Sequence, residues 1–246
     1  MDNTVKEPLI HLSKREDMSF GKKWLVRIIA ILLSLIVCAG FIFIIIKMNP
    51  VEVYEGIVEG AVGTGRRFWV TARDALTLLC VAVAVTPAFK MKFWNIGAEG
   101  QILMGCVASA AMMIYAGNAL PTGLLLVLMF VCSFIAGGIW GIIPAFFKAR
   151  WNTNETLFTL MLNYVAMQVV TFCIVYWENP AGSNSVGIIN ASTRAGWLPQ
   201  LFGLDYGWNL AIVLLLTVLM FIYMKRTKHG YEIAVVGESE NTARYA

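Results

Sequence analysis

Long apolar stretches, set apart by short clusters of charge, dominate the chain. A helix rises about 1.5 Å per residue, so crossing about 30 Å of hydrocarbon takes roughly 20 mainly apolar residues. Trp24–Ile46 meets that length with one charge, Arg27, close enough to its end to snorkel. It is too long and too uniformly apolar for a cleaved signal and reads as a retained first span. Ala75–Phe89 is shorter, contains Pro87 and stops at Lys90 and Lys92. Gly100–Phe147 carries no charge and must fold back once, with Gly117-Asn118-Ala119-Leu120-Pro121 supplying the turn. Thr156–Trp177 and Tyr206–Met224 follow. The pattern predicts an all-α polytopic transmembrane bundle of about six spans. Residues 1–23 read as a cytoplasmic tail, 24–225 as the membrane domain and 226–246 as a cytoplasmic segment, in which Glu238 reads as a helix start.

Composition agrees, with 59% hydrophobic and 14% charged residues and a mean hydropathy of +0.70. An ordinary soluble domain is about a quarter charged. Net charge is +4, without the basic stripe that nucleic acid requires. With the N-terminus inside, alternation leaves only Lys47, Arg66, Arg67, Arg73 and Arg194 outside among 19 basic residues. The positive-inside bias therefore predicts an N-in, C-in arrangement. Val51–Arg73, where charges interleave with apolar residues, is expected to lie along the outer interface as a short helix. Glu178–Asp205, rich in Gly, Ser, Asn and Pro, reads either as an outer loop that meets an external partner or as a tolerated surface loop.

Polar groups inside these stretches are costly and therefore informative. Asn95-Ile96-Gly97-Ala98-Glu99-Gly100-Gln101 follows a short, Pro-containing span, and such interruptions commonly line transporter cavities. A hairpin with Glu99 balancing a helix N-terminus explains the same residues. Asn154 can cap a helix opened by Glu155. Asn163 and Gln168, deeper in that span, either hydrogen-bond between helices or form one wall of a solute path. The Gly137/Gly141 spacing reads as close helix packing. Cys38, Cys80, Cys106, Cys132 and Cys173 lie in apolar runs with no metal-ligand spacing, and core packing accounts for them. Only His11 and His229 are present, and no phosphate loop, HExxH or GxSxG occurs. No catalytic residue, metal site or cofactor is predicted for this chain.

Three segments carry a resemblance: Phe93-Trp94-Asn95-Ile96-Gly97-Ala98-Glu99-Gly100-Gln101, then Asn154-Glu155-Thr156-Leu157-Phe158-Thr159-Leu160-Met161-Leu162-Asn163-Tyr164, then Gly230-Tyr231-Glu232-Ile233-Ala234-Val235-Val236-Gly237-Glu238 with Ala243-Arg244-Tyr245-Ala246. In order and spacing they resemble permease subunits of ABC importers, in the nucleoside and simple-sugar branch of the ribose/branched-chain amino-acid permease family. The resemblance implies several further spans after Ala246, so the chain reads as cut short. It implies a non-enzymatic subunit in the cell membrane that encloses a path for a small solute. The implied partners are a second permease subunit, a cytoplasmic ATPase that binds the ATP, and an external solute-binding lipoprotein. It makes Asn95, Glu99, Gln101 and Asn163 the path-lining candidates. It makes Gly230, Glu232, Gly237, Glu238 and Arg244 the ATPase-coupling candidates. A same-fold permease for a simple sugar stays open, as does an ion-coupled transporter using Glu99 or Glu155.

Overall fold

The computed structural model describes residues 19–201, 203–204 and 206–238. The chain divides into two compact units, one ending at Phe68 and one beginning at Trp69. In the first unit, α1 (Phe20–Phe41) continues into a π-helical turn, Ile42–Ile46. Lys47, in the left-handed region at φ 61°, ends it. Asn49 then caps α2 (Pro50–Val62), its side chain accepting from the Val51 N–H while Pro50 occupies the first turn. The Tyr54 hydroxyl donates to the Leu35 carbonyl at 2.6 Å and holds α2 to α1.

The remaining helices are α3 (Gly65–Lys90), α4 (Ala98–Ala116), α5 (Thr122–Trp151), α6 (Glu155–Tyr176), α7 (Gly207–Arg226) and α8 (Lys228–Glu238). Among the described residues, six helical segments are long and apolar enough to cross a membrane: Phe20–Ile46, α3, α4, α5, α6 and α7. The expected fold-back of the long uncharged stretch falls at residues 117–121, between α4 and α5. Among the described residues there is one isolated bridge, Leu201 with Leu204, and no strand.

The first helix starts at Phe20 and runs on through Trp24, where the first span is expected to open. One expected element differs. The segment 51–73 is not one interfacial helix. Gly63 closes α2 by donating to the Glu59 carbonyl at 2.8 Å, and the Thr64 hydroxyl accepts from the Arg67 N–H to open α3. Residues 65–73 therefore continue directly into the second span, whose helix is 26 residues long.

Within the second unit, α4 packs most closely on α5 and next on α6. Small residues make the α4–α5 seam: Ser133 donates to the Gly105 carbonyl at 2.9 Å and hydrogen-bonds the Ser109 hydroxyl. The largest fully buried side chains are Leu125, Thr159 and Pro144, whereas Leu78, Phe130, Phe134 and Phe172 stand exposed on their helices. A water-soluble fold would hide those side chains. Here their natural solvent is lipid. All five cysteines are free, and Cys38 and Cys106 are exposed rather than packed in a core of this chain.

At one end of this unit, Asn152 (φ 49°) closes α5 and Asn154 caps α6, its Oδ1 accepting from Leu157 N at 3.1 Å. Lys148 and Glu155 pair across that turn at 2.9 Å. At the other end, the segment after Trp177 folds back onto α4. Asn190 Nδ2 donates to the Met113 and Ala195 carbonyls at 2.9 and 3.0 Å, and Glu178 accepts from the Gly182 and Asn184 N–H groups. Trp177 Nε1 donates to the Tyr115 hydroxyl at 2.8 Å. The loop is thus tied down by its own amides and carboxylate.

Candidate functional site

The segment between α3 and α4 is where the polar residues converge. Pro87 lacks an N–H but does not stop α3, which ends at Lys90. Three bonds then turn the chain back: Met91 N to the Pro87 carbonyl, Lys92 N to Phe89 and Phe93 N to Ala88, all at 2.9–3.1 Å. Lys92 sits at φ 59°, and Phe89 meets Trp94 edge-to-face across the turn at 5.6 Å. Asn95 Oδ1 then accepts from the Gly97 N–H at 2.9 Å, and α4 begins at Ala98.

Helix α6 grips this turn from behind. Thr159, Asn163 and Ala166 are spaced to share one helical face, and all three are buried. Thr159 Oγ1 accepts from Ile96 N at 3.3 Å and donates to the Glu155 carbonyl at 2.7 Å. Asn163 is 4% exposed. Its Nδ2 donates to the Ile96 carbonyl at 3.0 Å, and its Oδ1 accepts from Gly100 N at 2.9 Å. One amide therefore satisfies a backbone acceptor and a backbone donor that the turn leaves open. The approach needs glycine at position 100, because a Cβ there would stand 2.9 Å from both Asn163 Oδ1 and Trp140 Nε1.

In front of the turn lies a cavity of about 450 Å³ between α3, α4 and α5. Asn95 and Gln101 are its amides, Gly137 and Gly141 open one wall, and Val81, Val85 and Phe134 give it an apolar side. The glycine pair does bring helices close. A Cβ on Gly137 would lie 3.1 Å from the Gln101 carbonyl, and one on Gly141 would lie 3.2 Å from its Nε2. Of the four path-lining candidates, Asn95 and Gln101 thus share the cavity. Asn163 lies behind the turn with both ends of its amide engaged. Glu99 is exposed in the first turn of α4. Gln168 is exposed on α6.

The coupling candidates fall on α8. The Thr227 hydroxyl caps it, accepting from Gly230 N at 3.1 Å. Glu232 faces His229 at 3.2 Å and Lys228 at 3.6 Å. Gly230 and Gly237 are buried, while Tyr231 is exposed. Glu238, expected to open a helix, is the last residue of α8. Arg244 lies outside the described residues.

The chain is 29% identical over 229 residues to the guanosine ABC transporter permease protein of Bacillus subtilis, covering 90% of this chain and 64% of that one. It is 29% identical over 235 residues to the nucleoside ABC transporter permease protein of Lactococcus lactis, covering 92% and 64%. It is 27% identical over 225 residues to the glucose ABC transporter permease protein of Haloferax volcanii, covering 87% and 58%. The chain thus spans about three-fifths of the length of these curated relatives. No solved structure matches it. The family described as branched-chain amino acid transport system / permease component matches residues 69–246, a stretch that holds the turn, the cavity, the α6 grip and α8. The chain belongs to that family of membrane permease components.

Proposed function

We propose that this chain is the membrane subunit of an ATP-driven importer for nucleosides, with Asn95 and Gln101 lining the solute path. The family match carries the permease part of this reading, and the cavity is compatible with a small polar solute. Its volume of about 450 Å³ falls within the roughly 300–1,000 Å³ typical of small-molecule sites. Two neutral amides can both donate to and accept from sugar hydroxyls or base edges, and the apolar side with Phe134 suits a planar base. Two of the relatives are named for guanosine or nucleosides. The subunit would work in the cell membrane, N-terminus inside, with a second permease subunit and an external solute-binding lipoprotein. A cytoplasmic ATPase docked on α8 would hydrolyse the ATP, so this chain needs no cofactor of its own.

A simple sugar is the second reading, favoured by the relative named for glucose. An ion-coupled mechanism loses its second carboxylate, because Glu155 is paired with Lys148 at 2.9 Å. Uptake by the complete transporter in proteoliposomes tests the choice. Guanosine accumulation that requires ATP on the ATPase side and is unaffected by excess glucose is the expected result. Glucose accumulation with no response to nucleosides would overturn it in favour of the sugar.

A further inference from the structure

A second cavity, of about 150 Å³, lies between α4 and α6, away from the α3–α4 turn. Leu103, Val107 and Ala110 line it from α4, and Val170, Ile174 and Trp177 from α6. Each set has the i, i+4, i+7 spacing of one helical stripe. Val186 and Ile189 of the loop after α6 complete the lining, and Cys106, which also faces the cavity, is exposed, so it is not sealed. Water has little to hold it here, because the Trp177 indole N–H is already given to the Tyr115 hydroxyl. Apolar cavities of about 150 Å³ stay dry and take small hydrocarbon groups. Left empty, such a cavity forfeits the dispersion contacts of its lining.

Polar groups of one kind gather at the same end. Trp177 and Tyr115 stand edge-to-face at 6.2 Å, an amphipathic pair of the sort found at a membrane interface. The Tyr115 hydroxyl accepts from Trp177, which leaves its own hydrogen for a further acceptor, and no described residue takes it. Arg194 N donates to the Asn190 carbonyl at 2.7 Å, one residue from Ile189 of the cavity lining. The Arg194 side chain is exposed and has no ion pair among the described residues. Glu178, next to Trp177, is occupied by the Gly182 and Asn184 N–H groups.

Given the N-in arrangement, we propose that this cavity holds an acyl chain of an outer-leaflet phospholipid, with lipid headgroup oxygens at Tyr115 and the phosphate at Arg194. An apolar chain joined to an anionic acceptor matches a dry gap beside a free hydroxyl donor and an unpaired cation. Lipid tails are as apolar as the lining, so burial alone gives no preference over bulk lipid. The preference comes from filling the gap and from the two headgroup contacts. The bound chain serves as a removable packing element between the helix that leaves the turn and the helix that grips it.

The test uses the complete transporter in nanodiscs of phosphatidylcholine, doped with a phosphatidylcholine that carries a diazirine on one acyl chain. After irradiation, adducts on Val107, Ala110 and Cys173 are expected to exceed several-fold those on Phe130 and Phe172, which stand exposed on α5 and α6. Equal labelling of the two sets overturns the proposal, as does protection of the cavity residues by another part of the transporter. Ala110→Leu, which fills the cavity, is expected to remove the excess on Val107 and Cys173 while Phe130 and Phe172 label as in wild type. That unchanged background reports an intact fold, and an excess that survives it overturns the proposal. Arg194→Gln, on the loop and outside the cavity, guards against failure of the first variant to assemble. It is expected to lower the excess roughly threefold, the worth of one exposed charge pair, and an unchanged excess removes the phosphate from Arg194 and the phospholipid with it.

Discussion

Asn163 and Gln101 are the same kind of group, a neutral amide inside a span, on opposite sides of one turn. Asn163 is almost completely buried, with its oxygen and its nitrogen both given to backbone. Gln101 is half-buried and lines a cavity. The difference separates what holds the turn from what the turn presents. An amide with both ends engaged is structural, and replacing it injures folding. An amide facing an open volume has hydrogen-bonding capacity for a solute, and replacing it injures affinity.

Asn163→Leu is expected to show the largest effect. It keeps approximate volume but orphans the Gly100 N–H and the Ile96 carbonyl. Interhelical hydrogen bonds in membranes average only about 0.6 kcal/mol. Each buried backbone group left without a partner, however, costs about 1–3 kcal/mol. The second term wins, and we expect a loss of about 2–4 kcal/mol, read as a lower unfolding midpoint of the purified transporter in detergent. An unchanged midpoint would show that the turn does not depend on the grip of α6.

Gln101→Ala should reverse the pattern. Stability should stay within about 0.5 kcal/mol, since no buried partner among the described residues is orphaned. Apparent affinity for the solute should fall roughly tenfold, the equivalent of about 1.4 kcal/mol, near the net worth of one hydrogen bond. Transport kinetics with wild-type affinity would remove Gln101 from the path and leave Asn95 as the cavity's remaining amide.

That contrast also explains what can be read from sequence. The helices are legible because their apolar lengths match a bilayer. The Asn154 cap and the turn at residues 117–121 are legible because turn chemistry is local. The segment 95–101 stands out because polarity there is expensive. What sequence does not show is the side on which each amide lies. Asn163 pairs with residues more than sixty positions away, and nothing local distinguishes it from Gln101. The spacing of Thr159, Asn163 and Ala166 does mark one helical face, a signal available in the sequence that points to α6 as the element behind the turn. Gly237 is harder still, since its close approach to Lys90 shows only once the fold brings α8 against the end of α3.

The ion pair between Lys148 and Glu155 extends the structural side of the comparison at a lower level. Its side chains are 36% and 16% exposed, so solvent screens part of the attraction. Paired charges of this kind contribute about 0.2–1 kcal/mol. Lys148→Ala should therefore lower stability by less than about 1 kcal/mol, and a double-mutant cycle with Glu155→Gln should recover most of that as coupling. A cycle showing no coupling would mean that the α5–α6 turn is held by Asn152 and Asn154 alone.

Glu99 should show the smallest effect of all. It is exposed in the first turn of α4, where a negative charge complements the helix N-terminus. It does not line the cavity beside Asn95 and Gln101. Glu99→Gln keeps size and polarity while deleting the charge, so uptake at saturating solute should match wild type across proton and sodium gradients of either sign. An ion-coupled carrier would behave differently, because a carboxylate that binds the coupling ion cannot be neutralised without losing the gradient dependence. Gradient-dependent uptake that vanishes in Glu99→Gln would move Glu99 into the path and the energy source from ATP to an ion. Equal uptake would place Glu99 with Asn163, among the residues that shape the turn rather than meet the solute.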